Sequence, residues 1–308
     1  MTIVFMGTPD FAVPVLKRLI DDGHDVGYVV TQPDRAGNRG KMIYSPVKQA
    51  ALDAGIEVLQ PDRISKDEDA LDKIRDFGPD VIIVVAYGQI LKKNVLDIPV
   101  YGCFNVHASL LPKLRGASPI QHAILEGDDR AGVTIMKVDE GLDTGDMLIS
   151  DSVETGRMNF EELHDALSII GADLMSKALV LIEKGEAVFT KQDDSMSTYA
   201  GMIRKQDGRI DFKEPAEVTE RKIRAFDPWP GAYCELEGKT MKIWKADTGS
   251  SVDKCAAGEV ISADEDGITV KCGEGVLIIK ELQMPGKKRV SVKDFLLGHK
   301  IEEGTILS

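Results

Sequence analysis

A histidine and an asparagine stand two positions apart in the stretch FNVHASLLPKLRG, residues 104–116. Asn105 and His107 close an apolar run, so we expect them at the end of a β-strand, where side chains two positions apart point to the same side. An amide offers a neutral N–H donor, and an imidazole gains or loses a proton near neutral pH. The pair could bind a developing oxyanion and move a proton. The alternative, left open by these two residues alone, is that both side chains only satisfy the backbone of the loop.

A second group of polar residues follows another predicted strand, which ends at Val138. The segment VDEGLDTGDMLI, residues 138–149, holds four carboxylates among glycines: Asp139, Glu140, Asp143 and Asp146. A carboxylate here could orient His107 and stabilise its charged form. The alternative is an acidic turn whose side chains bond to its own backbone. The catalytic interpretation gains weight if both strand ends lie on one edge of the same sheet.

Alternating strand and helix patterns predict the elements that place these residues. The run TIVFMG is followed by a helix-spaced segment, PDFAVPVLKRLIDDGH, and by a second strand, DVGYVVTQ; the alternation continues to the strand AGVTIMKVD. The run VIIVVA is apolar at consecutive positions, as expected of a parallel strand buried on both faces. This pattern predicts an α/β domain with a doubly wound, mainly parallel sheet, in which ligands bind at the carboxyl ends of the strands.

The pattern changes after a long amphipathic helix predicted over residues 159–186. The segment that follows is polar with few periodic apolar positions, which predicts a linker at residues 189–206. Short β-like runs separated by turn residues come next and predict a small β-barrel or sandwich. We therefore expect one domain over residues 1–188 and a second over residues 207–308.

The overall charge argues against a general nucleic-acid-binding surface. The net charge is −13 at pH 7, and residues 205–308 hold 17 Lys and Arg against 19 Asp and Glu, so most of the negative charge precedes them. Local clusters matter more than totals for contacts with phosphates. One such cluster, in PGKKRVSVKDF, comprises Lys287, Lys288 and Arg289. The alternative for this cluster is a solvated turn.

Cysteine spacing and hydropathy exclude several classes of protein. The four cysteines form no C-x-x-C pair, which argues against a disulfide framework and a cysteine-rich zinc site. No apolar run is long enough to cross a bilayer. The N-terminal segment MTIVFMGTPD is predicted to be a strand rather than a secretion signal. A cytoplasmic protein without a metal or a membrane partner is therefore expected.

Three loops at predicted strand ends complete the candidate site. The segment SLLP, residues 109–112, could wall an aromatic ligand, and the turn in VVAYGQIL, residues 84–91, could present backbone groups to a heterocycle. The long loop TQPDRAGNRGKMIYSPVK carries Arg39 and Lys41, and long loops in compact domains are often functional. Each has a plainer alternative, which is packing on the core or an ordinary strand-to-helix turn.

Together, FNVHASLLPKLRGASPIQHAI and VDEGLDTGDML resemble the folate-dependent formyltransferases, through an N-x-H-x-S-L-L-P strand end and a D-x-G-x-D-x-G loop. The segments FMGTPDFAVPVLKRL, VVTQPDRAGNRGK and IRAFDPWPGAYCELEGKTMKIWKA resemble the branch of this family that acts on methionyl-tRNA. The resemblance covers nearly the whole chain. It implies a Rossmann-like catalytic domain, an OB-like second domain that supports tRNA binding, and transfer of formyl from 10-formyltetrahydrofolate to the methionine of initiator methionyl-tRNA. Separately from the resemblance, we expect a monomer.

The resemblance also assigns roles to single residues. Asn105, His107 and Asp143 match the catalytic triad of the family. The folate-binding segment and the wall of the pterin pocket match Ser109, Leu110, Leu111, Pro112, Tyr87, Gly88, Gln89 and Ile90. The loop that engages the acceptor end of tRNA matches the segment with Arg39 and Lys41. From charge alone we add Lys205 and the cluster at 287–289 as further phosphate contacts.

Three other functions stay open from the sequence. A formyltransferase acting on an amino sugar nucleotide would keep the three catalytic residues and lose the tRNA features. A nicotinamide-dependent oxidoreductase would fit the β-α-β opening, but MGTPDF is not G-x-G-x-x-G. A non-catalytic RNA-binding protein would use the second domain alone, and gives no reason for the pair Asn105 and His107.

Overall fold

The protein is described by a computed structural model over residues 1–36, 42–250 and 255–308. Residue contacts divide it into two compact units. The first unit consists of Met1–Pro119, Arg130–Glu154 and His164–Ala200. The second consists of Ile120–Asp129, Thr155–Leu163 and Gly201–Ser308.

Strands and helices alternate through residues 1–200. The strands are β1 (Thr2–Gly7), β2 (Asp25–Val30), β3 (Arg35–Ala36), β4 (Met42–Ile43), β5 (Glu57–Leu59), β6 (Val81–Val85), β7 (Gly102–His107), β8 (Arg115–Gly116), β9 (Arg130–Lys137), β10 (Met147–Glu154) and β11 (Tyr199–Ala200). The helices are α1 (Val13–Asp21), α2 (Pro46–Asp53), α3 (Glu68–Phe77), α4 (Lys93–Leu96), α5 (Pro119–Glu126) and α6 (Phe160–Glu183).

Seven of these strands form one sheet in the order β10-β9-β7-β6-β1-β2-β5. The pairs among β7, β6, β1, β2 and β5 are parallel, whereas β9 and β10 join as antiparallel strands at one edge. The order reverses between β1 and β6, as in doubly wound folds, where ligands bind beside the carboxyl ends of the strands. The predicted mainly parallel, doubly wound sheet is therefore confirmed.

Apolar side chains bury both faces of the sheet. All five residues of β6 are buried, as its unbroken apolar run predicts. Val4 and Met6 of β1 pack in a cluster with Leu71 and Ile74 of α3 on one face. On another part of the sheet, α6 lies so close that a Cβ atom on Gly171 would be 2.8 Å from Val106 Cγ1 in β7. That contact leaves the neighbours of Val106 in β7 facing the opposite side.

The second unit is built around an antiparallel sheet. Its elements after residue 201 are α7 (Ala216–Ala225), β12 (Ala232–Leu236), β13 (Lys239–Gly249), β14 (Val260–Asp264), β15 (Gly267–Lys271), β16 (Val276–Gln283), β17 (Val290–Ser291) and α8 (Val292–Leu296). The strand order is β12-β13-β16-β15-β14, with β17 beside β16. The C-terminal residues join the two edges, because Ser308 exchanges backbone hydrogen bonds with Glu235 and Leu307 donates to Gly258. The sheet is thereby closed into a small barrel, which confirms the predicted β-barrel.

Two features of this part differ from the sequence pattern. Helix α7 was not predicted, since its buried side includes the polar Thr219 and Glu220; Arg157 and Arg224 pair with the Glu220 carboxylate. The boundary between the units falls after Ala200 rather than near residue 188. The reason is that Thr190 pairs with Met147 and β11 pairs with β8, which ties much of the predicted linker to the first unit.

Candidate active site

Strand β7 presents Asn105 and His107 on the same side of the sheet, as the spacing predicts. The strand lies between β6, where Val84 pairs with Asn105, and β9, where Thr134 pairs with His107. Val106, between them, faces α6. His107 is buried and Asn105 is half-buried, so both side chains sit at the carboxyl end of a central strand with little access to water.

The Asp143 carboxylate meets both side chains. Its Oδ1 atom lies 3.5 Å from Asn105 Nδ2 and 3.7 Å from His107 Nδ1. Its Oδ2 atom accepts a hydrogen bond of 2.9 Å from the backbone N–H of Gly116. The side chains of His107 and Asp143 are only 6% and 14% exposed, and charges interact more strongly where water is scarce. Sequence reasoning expected a carboxylate of this loop beside the pair because both strand ends would lie on one edge of the sheet. Strand β9 is instead antiparallel to β7, so its carboxyl end lies beside Phe104 and away from His107. The loop that follows β9 nevertheless brings Asp143 to Asn105 and His107.

The other ring nitrogen of His107 has a fixed partner. His107 Nε2 lies 3.0 Å from the carbonyl oxygen of Leu114. A carbonyl oxygen only accepts, so Nε2 carries a proton and donates it there. Nδ1 is then the nitrogen that faces Asp143 and can gain or lose a proton. This contact could not be predicted from the amino-acid pattern, because it depends on the path of the loop between β7 and β8.

The loop that carries Asp143 is held in an uncommon conformation. Asp143 has a φ of 54°, in the left-handed region, which for a residue other than glycine costs about 1 kcal/mol. The Asp139 carboxylate caps the loop by accepting from the Gly141 N–H and from Thr144 Oγ1. A Cβ atom on Gly145 would lie 1.7 Å from the Lys137 carbonyl oxygen, so only glycine fits there.

One residue that contacts this loop, Gln192, was not predicted from the sequence. The side-chain amide of Gln192 donates to the carbonyl oxygens of Asp143, at 2.9 Å, and Gly145, at 2.8 Å. No local pattern marks Gln192, which lies in the polar segment predicted to be a linker. Its proximity to the loop follows from the pairing of Thr190 with Met147.

The segment predicted to bind folate, residues 109–112, closes on itself beside β9. Ser109 is buried and donates from Oγ to the Lys113 carbonyl, at 2.7 Å, so its hydroxyl shapes the loop. Leu110 packs against Gly132 of β9, where a Cβ atom would lie 2.5 Å from its Cδ2. Leu111 is buried, whereas Leu110 and Pro112 keep part of their surface. The segment starts two residues after His107 and therefore borders the three converging side chains.

The turn after β6, predicted to wall a pterin pocket, is anchored from three sides. The carbonyl oxygen of Tyr87 accepts from Gln32 Nε2 at 3.0 Å and from Thr8 Oγ1 at 3.4 Å. Gln89 accepts from the Ile64 N–H and donates to carbonyls of the preceding loop. Gly88 has a φ of 83°, and Ile90 is exposed. Since β6 and β7 are parallel neighbours, this turn lies on the same edge of the sheet as His107.

The Tyr87 side chain belongs to the core more than to a pocket wall. It is 1% exposed and packs in the cluster that includes Val4 and Leu71. Burial raises the pKa of its hydroxyl, with a smaller contribution from the charge of Asp67. Its backbone carbonyl, rather than its ring, therefore takes part in forming the turn.

The basic residues expected to contact tRNA fall into three groups. Arg39 and Lys41 lie outside the described residues. Lys205 is exposed at the start of a short 3-10 helix, Lys205–Gly208. Arg289 is committed to ion pairs with Glu281, at 2.6 Å, and Asp227, at 3.0 Å. These two carboxylates neutralise its charge, so Arg289 is less suited to bind phosphate than its neighbours.

Lys287 and Lys288 instead border a cavity of the second unit. The cavity has a volume of about 790 Å³ and an apolar floor that includes Leu282, Met284 and Phe295. Lys239 and Lys300 also line it. The Phe295 and His299 rings stack beside it with centroids 4.4 Å apart.

Two searches of the described part of the chain concern metal ligands and membrane-spanning helices. Within residues 1–36, 42–250 and 255–308, no three His, Cys, Asp or Glu side chains are grouped as a metal site. Across the same ranges, none of the helices combines the length and the apolar character that a membrane span requires.

Comparison with protein-family models gives two matches that cover most of the chain. Residues 1–179 match the model described as formyl transferase, and residues 202–300 match the model described as formyl transferase, C-terminal domain. The two matched regions correspond closely to the α/β part and to the barrel.

Several curated proteins are similar over the full length. The chain is 46% identical to the methionyl-tRNA formyltransferase of Lachnospira eligens, over 100% of this chain and 99% of that protein. It is 46% identical to the enzyme of the same name from Caldanaerobacter subterraneus, with 100% of both chains covered. It is 48% identical to that of Citrifermentans bemidjiense, over 100% of this chain and 96% of that one.

Solved structures share the fold at lower identity. A methionyl-tRNA formyltransferase from Clostridium thermocellum matches with a TM-score of 0.56 and 19% identity, over 80% of this chain and 93% of that one. An N-formyltransferase from Helicobacter canadensis, solved with folinic acid and dTDP-3-aminofucose, matches with a TM-score of 0.67 and 18% identity, over 90% and 98%. At these identities the likeness establishes the fold alone.

Proposed function

The chain belongs to the formyl transferase family, and we propose that it transfers the formyl group of 10-formyltetrahydrofolate to the α-amino group of methionine on initiator methionyl-tRNA, giving N-formylmethionyl-tRNA for translation initiation. The observation that carries the proposal is the convergence of Asn105 Nδ2 and His107 Nδ1 on one oxygen of Asp143. The full-length identity to methionyl-tRNA formyltransferases favours this acceptor over an amino sugar nucleotide. The absence of a G-x-G-x-x-G turn argues against a nicotinamide cofactor.

The formyl donor is a folate derivative, as in the rest of the family. We place it at the edge of the sheet where the turn at residues 87–90 and the segment at residues 109–112 border the catalytic side chains. The turn offers backbone groups to a heterocycle, and Leu110 and Pro112 offer apolar surface. The chemistry needs no metal ion, because amide and imidazole groups supply the polarity.

Bond formation requires a neutral amine and a stabilised oxyanion. The α-amino group has an ordinary pKa of about 7.7–8, so a sizeable fraction is neutral at working pH. As its nitrogen bonds to the formyl carbon, the electrons of the carbonyl π bond move onto the formyl oxygen. Asn105 donates from Nδ2 to that oxygen, and His107 donates from Nδ1 when it is protonated.

Completion of the transfer moves one proton and breaks one bond. The attacking nitrogen loses a proton, the electrons on the formyl oxygen re-form the carbonyl π bond as the bond from the formyl carbon to the folate nitrogen breaks, and that folate nitrogen gains a proton. His107 carries the proton at Nδ1, since Leu114 holds the proton on Nε2. The Asp143 carboxylate, 3.7 Å from Nδ1, stabilises the imidazolium that forms in between.

We assign the two parts of the chain to the two substrates. The α/β part, predicted over residues 1–188, is the catalytic, folate-binding domain, and the barrel part, predicted over residues 207–308, is the tRNA-binding domain. Arg39 and Lys41 contact the acceptor end, and Lys205, Lys287 and Lys288 contact phosphates elsewhere on the tRNA. The protein acts as a monomer in the cytoplasm.

Removal of the two lysines at the cavity is expected to weaken tRNA binding in a salt-dependent way. The double variant Lys287→Ala, Lys288→Ala should reduce the slope of log affinity against log salt by about 1 to 2, because each phosphate contact contributes about 0.7–0.9. Affinity for the tRNA is measured between low and moderate salt by filter binding.

A charge-matched control separates a local contact from a change in net charge. Lys17→Ala, Lys177→Ala removes two exposed lysines from helices of the first unit. This variant should keep the slope of the wild type. Equal losses in both double variants would contradict a phosphate contact at Lys287 and Lys288.

The test of the function follows the labelled formyl group. The enzyme is mixed with formyl-labelled 10-formyltetrahydrofolate and methionyl-tRNA, the ester is hydrolysed, and the amino acid is analysed. We expect the label in N-formylmethionine, and a rise in melting temperature with tetrahydrofolate but not with NADH. Failure to form N-formylmethionine, or stabilisation by NADH alone, would overturn the proposal.

A further inference from the structure

We propose that Gln192 is a positioning residue for formyl transfer: its side-chain amide holds the loop of Asp139–Gly145 so that the Asp143 carboxylate faces Asn105 and His107. The inference rests on the proposed function, in which Asp143 takes part in the chemistry. Gln192 itself lies outside the catalytic trio and acts through the backbone of the loop.

The orientation of the Gln192 amide is determined by its partners. Nε2 donates to the carbonyl oxygens of Asp143, at 2.9 Å, and Gly145, at 2.8 Å. Oε1 accepts from Arg115 Nε at 2.9 Å. Carbonyl oxygens only accept and a guanidinium only donates, so the flipped amide would lose all three hydrogen bonds. Both N–H groups of the amide therefore donate to carbonyl oxygens of the loop.

Arg115 connects this contact to the other side of Asp143. Its guanidinium also pairs with Asp194 at 2.7 Å, which fixes its position beside Gln192. The next residue, Gly116, donates its backbone N–H to Asp143 Oδ2 at 2.9 Å. Strand β8 thus contacts the carboxylate directly and contacts the backbone of Asp143 through Gln192.

The loop needs an external support. Asp143 occupies the left-handed region with a φ of 54°, a conformation that a free loop would readily leave. The Asp139 carboxylate caps only Gly141 and Thr144, which precede Gly145. Gln192 bonds both the Asp143 and the Gly145 carbonyls, and so fixes the Asp143–Thr144 and Gly145–Asp146 peptide units. Loss of these two hydrogen bonds lets the Asp143 carboxylate move away from Asn105 and His107.

Two variants separate the contacts of the amide. Gln192→Met keeps the length of the side chain and removes all its hydrogen bonds. Gln192→Glu keeps an acceptor for Arg115 but cannot donate to the two carbonyls. We expect both to lower kcat by about ten- to a hundredfold, the size of effect that a misplacement of about 1 Å produces, with little change in KM for either substrate.

A double-mutant cycle with Asp143→Asn tests the route of the effect. If Gln192 acts through the Asp143 carboxylate, then Gln192→Met should slow the Asp143→Asn enzyme by less than twofold. Multiplying effects would show that Gln192 acts elsewhere and would overturn the inference. A higher KM for methionyl-tRNA with unchanged kcat would also overturn it, since Gln192 would then be a tRNA contact.

Controls distinguish positioning from folding and from a failure of the proposed function. Gln49→Met makes the same change on an exposed face of α2, where Gln49 bonds only Asp53 in the described structure, and should leave kcat unchanged. A normal kcat in Gln192→Glu would overturn the inference alone, provided that Asp143→Asn is slow. A normal kcat in Asp143→Asn would instead contradict the proposed role of Asp143 itself.

Discussion

Replacement of Asn105 by alanine is expected to lower kcat for formyl transfer by about a hundred- to a thousandfold, with little change in folate affinity. Asn105 Nδ2 is the neutral donor that the strand end aims at the reacting centre, and it faces the carboxylate at 3.5 Å. Its hydrogen bond strengthens only as charge develops on the formyl oxygen, so its loss raises the barrier without weakening ground-state binding. Single-turnover rates and the Kd for the folate donor measure the two quantities separately.

A matched truncation controls for general damage. Asn94→Ala removes the same amide from an exposed site, where Nδ2 donates to the Ser65 carbonyl. Its kcat should stay within about twofold of the wild type, as surface substitutions usually have small effects. An Asn105→Ala enzyme with near-normal turnover would remove Asn105 from the oxyanion site. Loss of folate binding in that variant would make Asn105 a binding residue.

Replacement of Asp143 by asparagine is expected to lower kcat by about a hundredfold or more, since a positioned acid–base group contributes about 10²–10⁴. Asparagine tolerates the left-handed conformation of Asp143 and can still accept from the Gly116 N–H, so the loop should keep its shape. What it lacks is the negative charge that stabilises the His107 imidazolium. The steady-state kcat and the folate Kd test this prediction.

Glu140→Gln provides the charge-matched control for Asp143→Asn. Glu140 is exposed in the same loop, so this change removes one negative charge without touching the catalytic side chains. Its kcat should remain close to that of the wild type. Loss of folate binding in Asp143→Asn would give Asp143 a structural role, and equal losses in both variants would point to the net charge of the loop.

The sheet and its principal site residues could be predicted because they follow local rules. The unbroken apolar run of β6 indicates a strand buried on both faces, and the two-residue spacing of Asn105 and His107 places them on one side of β7. A carboxylate from the loop after β9 was expected beside this pair, and the resemblance to the formyltransferases identified it as Asp143, although the antiparallel direction of β9 was not predicted. Each of these inferences needs only the residues close by in the sequence.

Other features depend on contacts between distant segments. Gln192 lies 49 residues from Asp143, and nothing in its own neighbourhood indicates that its amide bonds the Asp143 carbonyl. The ion pairs of Arg289 with Glu281 and Asp227 likewise join separate segments, so its basic cluster suggested more free charge than the structure provides. Helix α7 escaped prediction because buried Thr219 and Glu220 break its apolar stripe.

The acceptor is tested most directly by one assay of the wild-type enzyme. Transfer of labelled formyl from 10-formyltetrahydrofolate is measured in parallel to initiator methionyl-tRNA, to elongator methionyl-tRNA and to a free amino sugar nucleotide. We predict rapid transfer to the initiator tRNA and little or none to the other two. Transfer to the sugar nucleotide alone, or no transfer to any acceptor while folate still binds, would contradict the account.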